Sequence, residues 1–152
     1  MKRRLPFIIA AVAVTLFIFS NSLDSAAVSS EKSGFFSDIL MWILEAFRYS
    51  AKEESIVRIV RKSAHILEFA AQGFFITESF GREFLKRLPF VLTLGGLTAC
   101  VDECIQLFSD GRAAMISDVF IDLSGTLLGF IGGWILFRLA KSLRNARKGT
   151  KL

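Results

Sequence analysis

The sequence predicts an all-α integral membrane protein, a single domain over residues 1–152 with four transmembrane helices and one short extracytoplasmic amphipathic helix. Three observations predict this fold class. Hydrophobic residues make up 53% of the chain, which is high for a soluble domain of this size. They are concentrated in runs long enough to cross a bilayer, and no alternating β pattern competes with those runs. Most basic residues lie between the runs, as in the loops of multi-pass proteins.

The first span is predicted at about residues 5–22, after a basic start at residues 1–4. A signal peptide has a similar pattern, and Ser20 or Ser22 is small enough for its cleavage site. We favour an uncleaved helix, because about 18 apolar residues are long enough to span the membrane. Both interpretations place the amino terminus in the cytoplasm.

A polar region follows the first span. Residues 23–34 are mostly polar or small and predict a loop. Residues 35–51 are apolar on one helical face and charged on the other, and the run is too short and too charged to cross a bilayer. This pattern favours equally a helix in the plane of the membrane surface and a helix packed over the bundle.

Three further apolar runs predict the remaining spans. Their predicted residues are about 63–79, 88–108 and 116–139. In the last of them Gly125, Gly129 and Gly133 recur every four residues, which predicts close contact with another helix. Most of the 19 Lys and Arg residues lie in the start, in the turn at 81–87 and in the tail at 140–152. Because cytoplasmic segments carry the excess of basic residues, we predict a multi-pass protein of the cell membrane with both termini cytoplasmic.

Polar and ionisable residues interrupt three of the predicted spans. Arg61, His65, Glu68 and Gln72 are spaced i, i+4, i+7 and i+11, which places them on one helical face. Charged groups inside a bilayer cost about 2.5–3.5 kcal/mol each on insertion scales, so they need partners or water. The predicted topology brings polar groups of three spans to one depth in the outer leaflet, where they form a pocket. The candidate ligand-binding residues are Arg61, Lys62, His65, Glu68, Asp102, Glu103, Gln106, Arg112, Asp118 and Asp122. Hydrogen bonds that only hold the bundle together are the alternative.

At these residues the chain resembles the VanZ-like family, named for a protein that raises resistance to teicoplanin. Four blocks carry the resemblance: R-K-x-A-H-x-x-E-F at 61–69, D-E-x-x-Q at 102–106, G-R at 111–112 and S-D-x-x-x-D-x-x-G at 117–125. The resemblance implies a small bacterial membrane protein of several helices that acts in the cell envelope. Family members often carry a glutamine shortly after the first helix, where this chain has Ser-Asn-Ser at 20–22.

Two functions fit the predicted pocket. In the first, Arg61, Lys62 and Arg112 bind an anionic lipid headgroup, a cell-wall precursor or a glycopeptide, with membrane lipids as general partners. Such a protein contributes to envelope function or glycopeptide (teicoplanin) resistance. In the second, the protein is a membrane-embedded enzyme that acts on an envelope lipid or cell-wall precursor. The candidate catalytic residues are then His65, Glu68, Asp102 and Glu103, and the candidate metal ligands are His65, Glu68, Asp102 and Asp118.

Other classes are less favoured. No cofactor is predicted, and a divalent metal ion enters only with the enzyme hypothesis, since His65 is the single histidine. A transporter needs polar groups across the full membrane depth, which the predicted inner halves lack. No nucleic-acid motif accompanies the basic residues. Cys100 and Cys104 are predicted to be small buried apolar residues. The sequence does not indicate an oligomeric state.

Overall fold

The computed structural model describes residues 4–48, 52–80 and 86–149, and within them the chain is helical without strands. The helices are α1 (Leu5–Ser22), α2 (Ala26–Ala46), α3 (Glu53–Phe80), α4 (Leu88–Gln106) and α5 (Ile116–Gly149). The residues outside these ranges are 1–3, 49–51, 81–85 and 150–152. They include parts of the predicted basic start, of the predicted helix at 35–51, of the turn at 81–87 and of the tail.

Among the described residues, three helices are long and apolar enough to cross a membrane. They are α1, α4 and the part of α5 from Ile116 to Leu143. The chain is therefore an all-helical membrane protein, as its composition predicts. The predicted span at 63–79 lies within α3, which carries more charge than a simple span. The count of four spans and the orientation of the termini stay predictions.

The prediction of a loop at residues 23–34 is wrong, because α2 begins at Ala26. Ser25 caps the helix, and its side chain accepts a hydrogen bond from the Val28 backbone N–H at 3.3 Å. Ser33, one of the serines that predicted a loop, is accommodated inside the helix by donating to the Ser29 carbonyl oxygen, and Ser37 makes the same kind of bond to Ser33. The predicted helix at 35–51 is thus the second part of a longer helix, which ends at Ala46.

The central element is α3, which packs against each of the other four helices and most extensively against α5. The glycine ridge of α5 makes this packing close. A Cβ atom on Gly125 would collide with the Ile66 carbonyl oxygen, and one on Gly129 would collide with the Ala70 carbonyl oxygen. The close helix contact predicted from the glycine spacing is confirmed.

One other boundary and one burial prediction differ from expectation. α5 continues to Gly149 rather than ending near residue 139, so that helix extends into the basic tail. Cys100 and Cys104 are exposed, so their predicted burial is wrong. The buried face of α4 carries Ala99 and Asp102 instead, and the two cysteines point away from it.

Candidate functional site

Four helices contribute polar side chains to one end of the bundle, where α1 and α4 end and α5 begins. The first half of α3 lies at the same end, because α3 runs antiparallel to α1: Asn21 contacts Glu68, whereas the earlier Thr15 contacts Gln72. The buried polar residues at this end are Ser22, Asp102, Glu103, Gln106, Ser109 and Asp122. The structure therefore brings together the polar residues of α3, α4 and α5 that the sequence singles out.

Asp102 lies at the centre of this group and is fully buried, at 0% exposure. One carboxylate oxygen, Oδ1, accepts a hydrogen bond from Ser22 Oγ at 2.5 Å. The other, Oδ2, accepts one from Gln106 Nε2 at 2.8 Å. Because donors from two helices hold both oxygens, the carboxylate has a defined orientation.

His65 faces two carboxylates. Its Nδ1 atom lies 3.9 Å from Asp102 Oδ2 and 4.0 Å from Asp122 Oδ1, and both distances are too long for hydrogen bonds. This nitrogen is buried and has no hydrogen-bond partner in the part of the chain that the structure describes. The Asp122 side chain is only 3% exposed, and within the described residues His65 is its one ion-pairing contact. The imidazole and the two acids thus surround a common point.

A small cavity lies beside this group. Its volume is about 20 Å³, which is room for one water molecule or one ion. The residues that line it are Arg61, Lys62, His65, Glu103, Gln106, Asp118, Ile121 and Asp122. This small cavity lies between α3, α4 and α5.

Three of the predicted site residues make contacts that hold the helices together. Lys62 Nζ of α3 forms a half-buried ion pair with Asp118 Oδ1 of α5 at 2.5 Å. Glu103 Oε2 accepts a hydrogen bond from the Met115 backbone N–H at 2.6 Å, which holds the segment between α4 and α5. Lys62 and Asp118 therefore satisfy each other's charges.

A large cavity of about 460 Å³ lies between α1, α2 and α3, next to the segment that joins α4 to α5. Its lining includes the apolar side chains of Phe17, Phe36 and Val60 and the guanidinium groups of Arg61 and Arg112. His65 and Glu68 also line it, so His65 borders both cavities. Such a cavity suits a molecule that has an anionic end and an apolar end.

The two guanidinium groups in the large cavity lack acidic partners. Within the described part of the chain neither Arg61 nor Arg112 forms an ion pair, and Arg112 Nε is buried without a hydrogen-bond partner. Partial burial lowers the pKa of Arg112, and the positive charge of Arg61 lowers it further. A guanidinium nevertheless stays protonated at neutral pH. The large cavity, which is also lined by the Lys32–Asp24 ion pair and by Glu68, therefore offers two guanidinium groups to a bound anion.

Sequence reasoning missed the contribution of α1. Asn21 Nδ2 donates to Glu68 Oε1 at 2.8 Å, and Ser22 reaches Asp102. The sequence predicts residues 20–22 as the end of a span, as a possible cleavage site and as the place of the family glutamine. Their predicted depth, level with His65, is the signal that points to the site. Lys32 lines the large cavity from α2, in a segment whose sequence predicts a loop.

The fold and the polar group define a class: a small helical membrane protein whose buried ionisable residues gather at one end of the bundle. The VanZ/LLP1 family model matches residues 7–139, and the chain belongs to this family. Neither a curated protein nor a solved structure matches the chain.

Proposed function

We propose that this VanZ/LLP1 family protein binds the anionic headgroup of a membrane amphiphile in the large cavity. The observation that carries the proposal is the pair of guanidinium groups, Arg61 and Arg112, which line a cavity together with apolar side chains. Arginine recognises phosphate and carboxylate through several charge-assisted hydrogen bonds. The apolar lining residues Phe17, Phe36 and Val60 suit the first methylene groups of an acyl or prenyl chain.

The size of the large cavity supports this function. About 460 Å³ lies within the range of roughly 300–1,000 Å³ that is usual for small-molecule sites. A whole lipid would not fit, but its headgroup and the adjoining carbons would. The apolar tail would extend along the exposed apolar surface of the bundle, which includes Leu16 and Phe17.

The proposed orientation places this cavity at the outer face of the cell membrane. With α3 as the second of four spans and both termini cytoplasmic, the ends of α1 and α4 are extracytoplasmic. The ligand classes available there share one feature, an anionic group: a phospholipid headgroup, a cell-wall precursor or a glycopeptide. A role in envelope function or glycopeptide resistance follows from retention of such a ligand.

Lipid binding by purified protein tests the proposal. The protein is purified in a neutral detergent and titrated with phosphatidylglycerol, with phosphatidylcholine as the uncharged comparison. We expect Arg112→Ala to weaken phosphatidylglycerol binding about 10- to 100-fold, because a hydrogen bond to a charged group contributes about 1.5–3 kcal/mol. Arg58→Ala is the matched control, since Arg58 lies on the same end of α3 but is exposed and outside the cavity. Equal affinity in wild type and Arg112→Ala would overturn the proposal.

The second candidate function is enzymatic, and the position of His65 favours it. His65 borders the large cavity while its Nδ1 atom faces Asp102 and Asp122, so the imidazole is placed to exchange a proton with a bound headgroup. Mass spectrometry of envelope lipids after incubation with the protein tests this function. We expect product with wild type and none with His65→Gln, while lipid binding by His65→Gln is retained. Product at the wild-type rate with His65→Gln would exclude this role.

A further inference from the structure

We propose that His65, Asp102 and Asp122 bind one divalent transition-metal ion, with Zn²⁺ and Mn²⁺ as the best-matched ions. One ligand atom from each residue lies within 4.8 Å of the other two. The three residues come from α3, α4 and α5, so the ion would bind where these helices meet. Headgroup binding by Arg61 and Arg112 does not require this site, and the inference goes beyond that function.

The distances fit a shared ion better than direct contacts. His65 Nδ1 is 3.9 Å and 4.0 Å from the two carboxylate oxygens, too far for hydrogen bonds. Ligand atoms bound at about 2.0–2.2 Å around a tetrahedral zinc ion lie roughly 3.3–3.6 Å from one another. Because the three ligand atoms all lie within 4.8 Å of one another, a movement of up to about 0.7 Å per side chain would close the site. Side-chain rotation within one rotamer well supplies such a movement.

The surroundings of the three ligands are those of a prepared metal site. Asp102 is oriented by hydrogen bonds from Ser22 and Gln106 that leave a lone pair on each oxygen free. Such outer hydrogen bonds are typical of metal-binding carboxylates. His65 Nδ1 is buried and has no hydrogen-bond partner among the described residues. The Asp122 side chain is 3% exposed, and its Oδ1 atom lies 4.0 Å from this nitrogen. An unsatisfied buried nitrogen beside a buried carboxylate is a second sign that something binds there.

Charge balance at this end of the bundle also favours a cation. The Lys62–Asp118 pair and the Lys32–Asp24 pair are each neutral. The remaining acids are Glu68, Asp102, Glu103 and Asp122, and the remaining basic residues are Arg61 and Arg112. A divalent ion would neutralise the excess of two negative charges. Buried carboxylates without a cation take up protons instead, so proton uptake is the competing state.

The ligand types indicate which ion fits. One imidazole nitrogen with two carboxylate oxygens suits Zn²⁺, Mn²⁺ or Fe²⁺, whereas Ca²⁺ and Mg²⁺ prefer oxygen ligands alone. Three protein ligands leave at least one coordination position open. That position would face the small cavity, where there is space for one water molecule.

Metal titration of the full chain tests the site. The protein is produced with an affinity tag free of histidine, treated with a chelator and titrated with Zn²⁺ in detergent. We expect one ion per chain, and binding weakened more than about 100-fold in Asp122→Asn and in His65→Gln, because loss of an outer hydrogen bond alone costs 10- to 100-fold. Asp38→Asn and Glu54→Gln are the matched controls, since these acids are exposed and lie outside both cavities, and they should bind zinc as wild type does.

A measurement on the wild-type protein tests the site without depending on the folding of variants. His65 is the only histidine, so ¹⁵N labelling of histidine gives a single pair of ring signals. We expect the Nδ1 signal to move to the position of a metal-bound nitrogen when Zn²⁺ is added. An unmoved signal, or equal zinc affinity in wild type and a folded Asp122→Asn, would overturn the proposal.

Discussion

The packing of α5 on α3 through Gly129 leads to a quantitative prediction. A Cβ atom at this position would meet the Ala70 carbonyl oxygen and would lie 2.6 Å from the Phe74 backbone nitrogen. Both obstacles are backbone atoms of α3, which cannot rotate away as a side chain can. Gly129→Ala therefore requires the two helices to separate, and overpacking of this kind costs about 1–3 kcal/mol.

Gly132 offers a matched control one turn along the same helix. A Cβ atom there has Phe74 Cδ2 as its nearest neighbour at 3.8 Å, an ordinary van der Waals distance. Gly132→Ala should be neutral or should stabilise the protein by about 0.5–1 kcal/mol, because alanine is the better helix former. The two substitutions are chemically identical, so the difference between them isolates the contact with α3.

Thermal unfolding in detergent, followed by intrinsic tryptophan fluorescence, measures the difference. Trp134 lies on α5 and packs against the apolar cluster of Ile76, Val91 and Phe130, so its emission reports separation of the helices. We expect a lower melting temperature for Gly129→Ala and an unchanged or higher one for Gly132→Ala. Equal stability of Gly129→Ala and wild type would refute the proposed close packing.

Two further substitutions test the polar contacts. Ser22→Ala removes a donor to the fully buried Asp102 and should destabilise the protein by about 1.5–3 kcal/mol, measured by thermal unfolding; an unchanged melting temperature would show that this bond contributes nothing. Lys62→Met leaves Asp118 unpaired in a half-buried site and should lower the melting temperature more than Lys32→Met, whose ion pair is largely exposed. A lower melting temperature for Lys62→Met than for Lys32→Met at both low and high salt supports this prediction. A lower melting temperature for Lys32→Met contradicts it.

Much of the candidate site could be predicted from helical periodicity and depth. The spacing of His65 and Glu68 on α3, and the place of Asp102 near the end of α4, are enough to bring them to one end of the bundle. Periodicity and depth do not show which acid of α5 faces His65. Asp122, one turn after Asp118, faces His65, while Asp118 pairs with Lys62. This choice depends on the rotation of α5 about its axis, which no local pattern specifies.

The largest error concerned α2. Serine-rich sequence predicts a loop when the serines are assumed to compete with the backbone. In α2, Ser33 and Ser37 donate to carbonyl oxygens within the helix instead. Packing against α3 supplies the stabilisation that local propensity lacks.

The amino-acid sequence by itself determined the class of protein, because hydropathy and the order of its polar blocks require only the chain's linear pattern. It also determined which end of each helix carries ionisable groups. Only the tertiary structure decided that α1 supplies Ser22 to Asp102, that α2 borders a cavity with Arg61, and that Asp122 is the acid opposite His65. These relations depend on how closely and at what rotation the helices meet, and contacts between residues far apart in the chain set that geometry.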